Sequence, residues 1–232
     1  FDIILLGSIA GLESVAYYAV ANKLIRFIIS LITIIGVVSL PRLMFLIEKD
    51  KNEYLNYVRM IFGFILIVSM PIFILIAVFS KDIIFLMAGN DFSESVLIMQ
   101  ILSPMCVIVG VAYFLSFLVL FPRGLERKYT FAVGVTALFS VSLNMLFVNY
   151  FRHNATAVIA ICSEILAILI MIRLAREELR ELKLINFNML KIALASLVLS
   201  LVAFLFSRLA FPILPRMILV TLFGLFCYVV TL

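Results

Sequence analysis

The chain has 232 residues, of which 66% are hydrophobic and 13% charged, and its formal net charge is +5. Soluble domains contain roughly 45–50% apolar residues, so a soluble fold of this length could not cover so much apolar surface. The composition therefore predicts a polytopic membrane protein, and we attribute the positive charge to membrane orientation rather than to nucleic-acid binding.

Apolar runs, taken in chain order, predict an all-α transmembrane bundle. The first run, 1–10, is too short to cross a bilayer and is interpreted as half a helix. Seven later runs each come close to the roughly 20 residues that a helical span requires; they are 14–40, 57–79, 95–121, 130–150, 155–173, 189–207 and 213–232. Pro41 and Pro122 lie at run ends, where a helix can stop, whereas Pro71 and Pro104 lie inside runs and are expected to kink them.

Lys and Arg are distributed unequally between alternate connections. Twelve lie in the connections 41–59, 122–129 and 173–191, four lie in the alternate ones, and two remain inside a span. The positive-inside rule places the first set in the cytoplasm. The charged segment 173–188 is then interpreted as a cytoplasmic connector on the membrane surface, with a partner-docking helix as the alternative.

Lys23 and Arg26 are the two cations inside the run 14–40, and they share a polar stripe with Asn22. A cation near the centre of the bilayer costs roughly 2.5–3.5 kcal/mol on insertion scales, and such residues usually face a bundle interior or a watery cavity. The stripe predicts a cationic cavity that binds an anionic substrate. The alternative is that both side chains snorkel, or that Asp2 or Glu13 neutralises them.

Other polar residues fall at membrane depth. Glu164 is central in the run 155–173 and is interpreted either as a proton carrier or as a hydrogen-bonding group between helices. Asp2 is assigned a coupling or salt-bridge role, left open between the two. Asn144 shares one helical face with Thr136 and Ser140, and such stripes more often make helix–helix contacts than ligand contacts.

The sequence shows no catalytic set, no GxxxxGK[ST] phosphate loop and no ligand cluster at zinc spacing. We therefore expect no enzyme activity, no cofactor and no bound metal. The single His153 falls in a short outer loop and is interpreted as a solvated residue. The three cysteines, Cys106, Cys162 and Cys227, are interpreted as packing residues.

Several motifs occur in an order that resembles the oligosaccharide flippases, the O-antigen and teichoic-acid exporters. The opening FDIILLGSIAGLESVAYYAVANKL is similar to the D-x-x-(I/L)-L-G … Y-x-x-A-x-K-(L/I) stretch of that family. A Pro-Arg pair, an outer turn and a G-x-E-(R/K)-K link follow; these are Pro41–Arg42, Met87–Ser95 and Gly124–Lys128. The resemblance covers about 1–183. Where the family has I-P-x-x-G-x-x-G-A-A, this chain has VNYFRHNATAV, so the turn there is expected to differ.

The resemblance implies the C-terminal lobe of a MATE-like transporter with two pseudo-symmetric lobes, whose N-terminal lobe lies outside this sequence. It implies a protein of the bacterial inner membrane that moves an undecaprenyl-diphosphate-linked oligosaccharide to the periplasmic leaflet by alternating access, for cell-surface polysaccharide synthesis. Its partners would be that anionic glycolipid, membrane lipids, the other lobe, and polysaccharide polymerase and assembly proteins. Nucleic acid is not expected.

Three other functions stay open from the sequence. A cation-coupled multidrug exporter belongs to the same superfamily, but its substrates are often cationic, which Lys23 and Arg26 disfavour. A membrane enzyme of polysaccharide assembly would need polar catalytic loops, and the outer loops here are short. A membrane subunit that does not transport would tolerate neutral residues in place of Lys23 and Arg26.

Overall fold

The computed structural model describes residues 2–184, 187–207 and 213–231. Eight α-helices account for nearly all of them, and no strand occurs in these ranges. The helices are α1 (Asp2–Lys49), α2 (Lys51–Ala88), α3 (Glu94–Leu102), α4 (Met105–Tyr113), α5 (Glu126–Leu174), α6 (Arg176–Leu182), α7 (Phe187–Ser207) and α8 (Ile213–Thr231). A π-helical segment, Phe114–Leu120, and a 3₁₀ turn, Phe121–Arg123, link α4 to α5.

The two longest helices each fold back at one residue. Gly11 (φ 83°, ψ 171°) divides α1 into a short N-terminal arm and a long arm, and Arg152 (φ 48°, ψ −131°) divides α5 into two limbs. A positive φ suits glycine, which has no Cβ, but strains arginine. Each limb of α5 is long enough to cross a bilayer, and the predicted spans 130–150 and 155–173 lie on either side of Arg152.

The turn between α1 and α2 is short because the side chain of Asp50 caps α2. Its Oδ1 accepts hydrogen bonds from the backbone N–H groups of Asn52 (2.9 Å) and Glu53 (3.0 Å). These donors have no partner within the helix, so the cap fixes where α2 begins. The two helices therefore run antiparallel from this turn.

Proline has different effects along the bundle. Pro104 lies at the break between α3 and α4, as expected of a proline inside a span. The helix does not stop at Pro41, since α1 continues through it to Lys49, and α2 runs through Pro71. A helix tolerates an internal proline when neighbouring groups compensate for the lost N–H.

Helices α1 to α6 share one hydrophobic core, whereas α7 and α8 form a hairpin that packs on α2 through a smaller core that includes Ile74 and Phe79. The hairpin is tied to α2 by an ion pair in which Arg216 Nη2 lies 2.6 Å from Asp82 Oδ2. Both side chains are less than one-fifth exposed. Because charges inside a membrane protein need partners, this pair fixes the register of α8 against α2.

The outer surface of the bundle is apolar. Leu12, Val38 and Leu138 are 85%, 74% and 73% exposed. Six helices of the described ranges are long and apolar enough to cross a membrane, and α5 counts as one of them although it has two limbs. The prediction of an all-α, multi-pass membrane bundle is confirmed.

The short helix α6 binds to the ends of other helices at one side of the bundle. Its Glu178 pairs with Lys128 (2.8 Å), and its Glu181 pairs with Arg123 (3.4 Å) and with Lys51. The backbone oxygen of Leu182 accepts a 2.7 Å hydrogen bond from Arg59 Nε, and the Leu182 side chain is fully buried. The segment 173–184 is therefore docked onto the bundle and fastens three elements together.

Candidate functional site

A cavity of about 410 Å³ opens between the N-terminal and long arms of α1, the α4–π segment and both limbs of α5. We call it the membrane cavity. Its wall combines apolar side chains with a set of polar ones; these are Asp2, Arg26, Tyr113, Ser116, Tyr129, Thr136, Ser140, Ser163 and Glu164.

The charged wall residues lie at a similar depth. Counted from the Gly11 turn at about 1.5 Å per residue, Asp2 is about 14 Å and Arg26 about 22 Å inward. Counted from Arg152, Glu164 is about 18 Å inward. Because a bilayer core is about 30 Å thick, all three fall near its middle. The fold therefore collects distant parts of the chain into one charged site.

Asp2 is held by a short series of hydrogen bonds on the first limb of α5. Ser140 Oγ lies 3.3 Å from Asp2 Oδ1 and donates to it, and Asn144 Nδ2 donates to the Ser140 carbonyl oxygen at 2.9 Å. Asn144 Nδ2 also lies 3.4 Å from Ser140 Oγ. The polar face seen in the sequence at 136, 140 and 144 thus connects α5 to the N-terminal arm of α1, and its first two residues also line the cavity.

Arg26 is anchored but not neutralised. Its Nε donates to Asn22 Oδ1 at 3.2 Å, one turn away on α1, and Asn22 is buried behind it. Across the described ranges, Arg26 forms no salt bridge. Its terminal nitrogens remain as donors on the cavity wall, which suits a phosphate or carboxylate group.

The structure separates Lys23 from Arg26. Lys23 is exposed and does not line the membrane cavity, although it lies one turn from Arg26 on the same arm. Glu164 does line the cavity, within electrostatic range of Arg26 and Asp2. The substrate-binding set predicted from the sequence therefore divides into Arg26 on the wall, Asn22 behind it and Lys23 beside it.

Aromatic side chains shape the cytoplasmic half of the cavity. The rings of Tyr113 and Phe117 stack with centroids 4.8 Å apart, and Phe117 lies 5.7 Å from the ring of Tyr129. Gly36 of α1 makes room for Tyr113, because a Cβ there would lie 2.3 Å from the tyrosine ring. Sequence reasoning missed these residues, since aromatic residues are common in apolar runs and carry no separate signal.

A second, polar pocket of about 550 Å³ lies at the outer ends of α1, α3 and α5. We call it the outer pocket; its lining includes Glu13, Glu94, His153 and Asn154. The interpretation of His153 as a solvated loop residue is wrong, because the residue is only 8% exposed. Its Nε2 lies 3.9 Å from Glu94 Oε2, and its ring packs edge-on against Tyr17.

Glu13 was considered from the sequence as a counter-ion for the cations of α1. Its Oε1 instead accepts a 3.0 Å hydrogen bond from the Tyr17 hydroxyl, at the outer pocket.

No group of three or more His, Cys, Asp or Glu suited to a metal ion occurs within the described residues.

Comparison with known proteins matches residues 1–97 to a family model described as "Polysaccharide biosynthesis protein". The match supports the family resemblance seen in the sequence over that part of the chain. The fold is similar to a solved structure titled "Lipid II flippase MurJ, inward closed conformation", with a TM-score of 0.79 and 15% identity. That likeness covers 94% of this chain and 46% of the other, so the chain spans about half the length of that structure. The curated proteins contain no match.

The likeness to that structure shows a MurJ-like fold, and the family match concerns the N-terminal part of the chain alone. The matched region holds Asp2, Asn22, Lys23 and Arg26 but ends before α5. The family model therefore does not cover the second wall of the cavity, which contains Ser140 and Glu164.

Proposed function

We propose that this chain is one lobe of a flippase that moves a polyprenyl-diphosphate-linked oligosaccharide from the cytoplasmic to the periplasmic leaflet of the bacterial inner membrane. The observation that carries the proposal is Arg26, a guanidinium that forms no salt bridge among the described residues and lines a cavity within the membrane-spanning part of the bundle. A diphosphate accepts charge-assisted hydrogen bonds from such a group. The likeness to flippases supports a transporter rather than an enzyme.

Lys23 and Asn22 assist in different ways under this proposal. Asn22 holds the guanidinium of Arg26 in place. Lys23, exposed beside the cavity, lies where a second lobe would face it and attracts the anionic headgroup before it reaches Arg26. Rocking of two lobes would expose the cavity alternately to the two sides. Polysaccharide polymerase and assembly proteins would receive the product.

Asp2 and Glu164 would make anion binding at this site depend on proton uptake. With both carboxylates ionised and Arg26 charged, the three groups carry a net charge of −1, which repels an anion. Protons on the carboxylates remove that repulsion, so a proton and an anionic substrate favour each other's binding at this site. Asn144 supports the arrangement through Ser140 and Asp2.

The two carboxylates also favour a second candidate, a cation-coupled multidrug exporter. A cationic drug would bind Asp2 and Glu164 directly and would be repelled by Arg26. The candidates make opposite predictions for Arg26→Ala, which abolishes export of an anionic glycolipid but preserves or improves export of a cationic dye.

The test is movement of a fluorescent polyprenyl-diphosphate oligosaccharide between leaflets in proteoliposomes that contain the complete protein. We expect Arg26→Ala to weaken substrate binding about 10- to 100-fold, the value of one or two charge-assisted hydrogen bonds. Lys23→Ala should slow movement of the oligosaccharide lipid less than Arg26→Ala does. Arg127→Ala, an exposed cation at the cytoplasmic end of α5, is the matched control and should transport normally. Normal transport by Arg26→Ala would refute the proposal.

A further inference from the structure

Buried polar atoms without hydrogen-bond partners are concentrated along α5. Among the described ranges, eight residues carry such atoms, and five of them belong to this helix; these are Asn144, His153, Asn154, Thr156 and Ser163. Inside a membrane an unsatisfied polar group costs several kcal/mol, because lipid supplies no partner. Their clustering therefore indicates that water reaches them.

Except for Asn154, which lines an apolar pocket between the limbs, these residues lie on the side of the two limbs that leads into the membrane cavity. On the second limb, His153, Thr156 and Ser163 are spaced i, i+3 and i+10, which keeps them on one helical face. Ser163 and Glu164 line the membrane cavity, and so does Ser140 on the first limb. Asn144 lies one turn from Ser140 on the same face and is fully buried.

Along the depth of the bundle, the unpartnered atoms of one limb alternate with those of the other. Counted from Arg152 at about 1.5 Å per residue, Thr156 is about 6 Å inward, Asn144 about 12 Å and Ser163 about 17 Å. Successive steps are therefore about 5–6 Å. One water that bridges two groups through hydrogen bonds of about 2.8 Å spans about 5.6 Å, which is close to each of these steps in depth.

Both ends of this series open into polar space. At the outer end, His153 and Asn154 line the outer pocket, where Glu94 of α3, Glu13 of α1 and Arg152 face the histidine. At the inner end, Ser163 reaches the membrane cavity. Ala157 and Ala160 lie between the ends and are too small to fill the seam.

We propose that the seam between the two limbs of α5 is a water-filled path that connects the outer face to the carboxylates Glu164 and Asp2. Protons from the outer medium pass the outer pocket and travel along the water beside Thr156 and Asn144. At the inner end they are taken up by Glu164 or Asp2 next to Arg26. The coupling role of these carboxylates rests on the proposed function, but the water path does not.

The path is tested by the accessibility of a thiol at its narrowest point. Thr156→Cys is made in the complete protein with its cysteines replaced, including Cys106, Cys162 and Cys227. Val158→Cys is the matched control, because it lies two residues along the same limb, is 47% exposed, and lines the apolar pocket between the limbs rather than the proposed path. Aqueous Ag⁺ is added from outside, and the thiols still free are counted with a maleimide after denaturation.

We expect Ag⁺ to block the thiol of the Thr156→Cys variant at least about tenfold faster than the thiol of the Val158→Cys variant, because only the first is in contact with water. Equal rates in correctly inserted protein would overturn the proposal. The experiment uses no transport substrate, so its failure would be distinct from a failure of the proposed flippase activity.

A second measurement keeps the proposal testable if the cysteine variant folds poorly. The carboxylic C=O infrared band of Glu164 is identified as the band that Glu164→Gln removes. Its change is followed in time after a pH step on the outer side. Thr156→Val should slow its relaxation about tenfold or more, whereas Thr156→Ser, which keeps the hydroxyl, should not. Unchanged relaxation in Thr156→Val would contradict the path.

Discussion

Arg26 shows how a single residue gains a function from its partners. Asn22 fixes the guanidinium through one nitrogen and leaves the others free, so the charge is positioned without being cancelled. Its position in an apolar run made it predictable, because membrane spans rarely keep charges without a use. The burial of His153 and the position of Tyr113 were not predictable, because each depends on helices distant in sequence.

At the same scale, Glu164→Gln should change the pH dependence of substrate binding. The carboxylate repels an anion once it is ionised, so the unmodified protein should bind the diphosphate less tightly as pH rises, and the variant should lose much of that dependence. Titration of substrate affinity against pH in detergent checks this. Gln100→Glu, on an exposed face away from the cavity, is the control. Identical pH profiles for Glu164→Gln and the unmodified protein would argue against a charge effect.

Gly36→Ala should reduce transport by changing the shape of the cavity wall, since the substitution adds no charge. The added Cβ would lie 2.3 Å from the Tyr113 ring, so the ring must move, and the ring forms part of the cavity wall. Overpacking of this kind typically costs about 1–3 kcal/mol. Gly134→Ala, where a Cβ meets nothing within 4 Å, is the control. Thermal unfolding together with transport rate measures both effects, and equal behaviour of the two variants would contradict the prediction.

Among the elements, α6 and the α7–α8 hairpin are each fastened to the bundle by charge pairs in addition to apolar packing. The sequence indicated that 173–188 is charged and cytoplasmic, but it could not identify the partners of Glu178 and Glu181. Those partners lie on α2, the 3₁₀ turn and α5, and only the tertiary fold brings them together.

The docking of α6 should weaken in acid. The hydrogen bond from Lys128 holds the pKa of Glu178 below its ordinary value of 4.5, and that from Lys51 does the same for Glu181. A lowered folded pKa contributes stability above about pH 4.5, which is lost as the pH falls through the folded value. The protection of the amides of 176–182, that is, the intrinsic exchange rate divided by the observed rate at the same pH, should therefore fall on acidification below that pH.

The control for this experiment is Glu177→Gln, an exposed neighbour, which should leave the profile unchanged. Glu178→Gln should show fast exchange already at neutral pH. Slow exchange in Glu178→Gln at neutral pH would show that the ion pair does not hold α6.

Breaking the Asp82–Arg216 pair should destabilise the hairpin. Removing one partner leaves a charge in a mostly buried site, which costs about 3–5 kcal/mol for a buried pair. We expect Asp82→Asn to lower the unfolding temperature clearly, and Asp82→Asn with Arg216→Gln to recover part of the loss. Glu53→Gln is the control, because its pair with Arg42 is more than half exposed and is worth at most about 1 kcal/mol. Equal effects of Asp82→Asn and Glu53→Gln would contradict this assignment.

At the scale of the whole molecule, apolar run lengths predicted the membrane class and the helical fold, because a bilayer sets both the length and the type of a spanning segment. The sequence predicted separate spans at 130–150 and 155–173, but it did not predict that the chain turns at Arg152 alone, since an arginine with positive φ is unusual. That fold places Ser140 opposite Glu164 and so forms one wall of the cavity.

The most direct test of the central claim is whether the headgroup charge decides what is moved. The complete protein in proteoliposomes is given a fluorescent polyprenyl-diphosphate oligosaccharide or a neutral glycolipid with the same oligosaccharide, and leaflet exchange of each is measured. The account predicts that the diphosphate compound moves in an Arg26-dependent manner and that the neutral one does not. Equal movement of both lipids, or no movement of the diphosphate compound by correctly inserted protein, would contradict it.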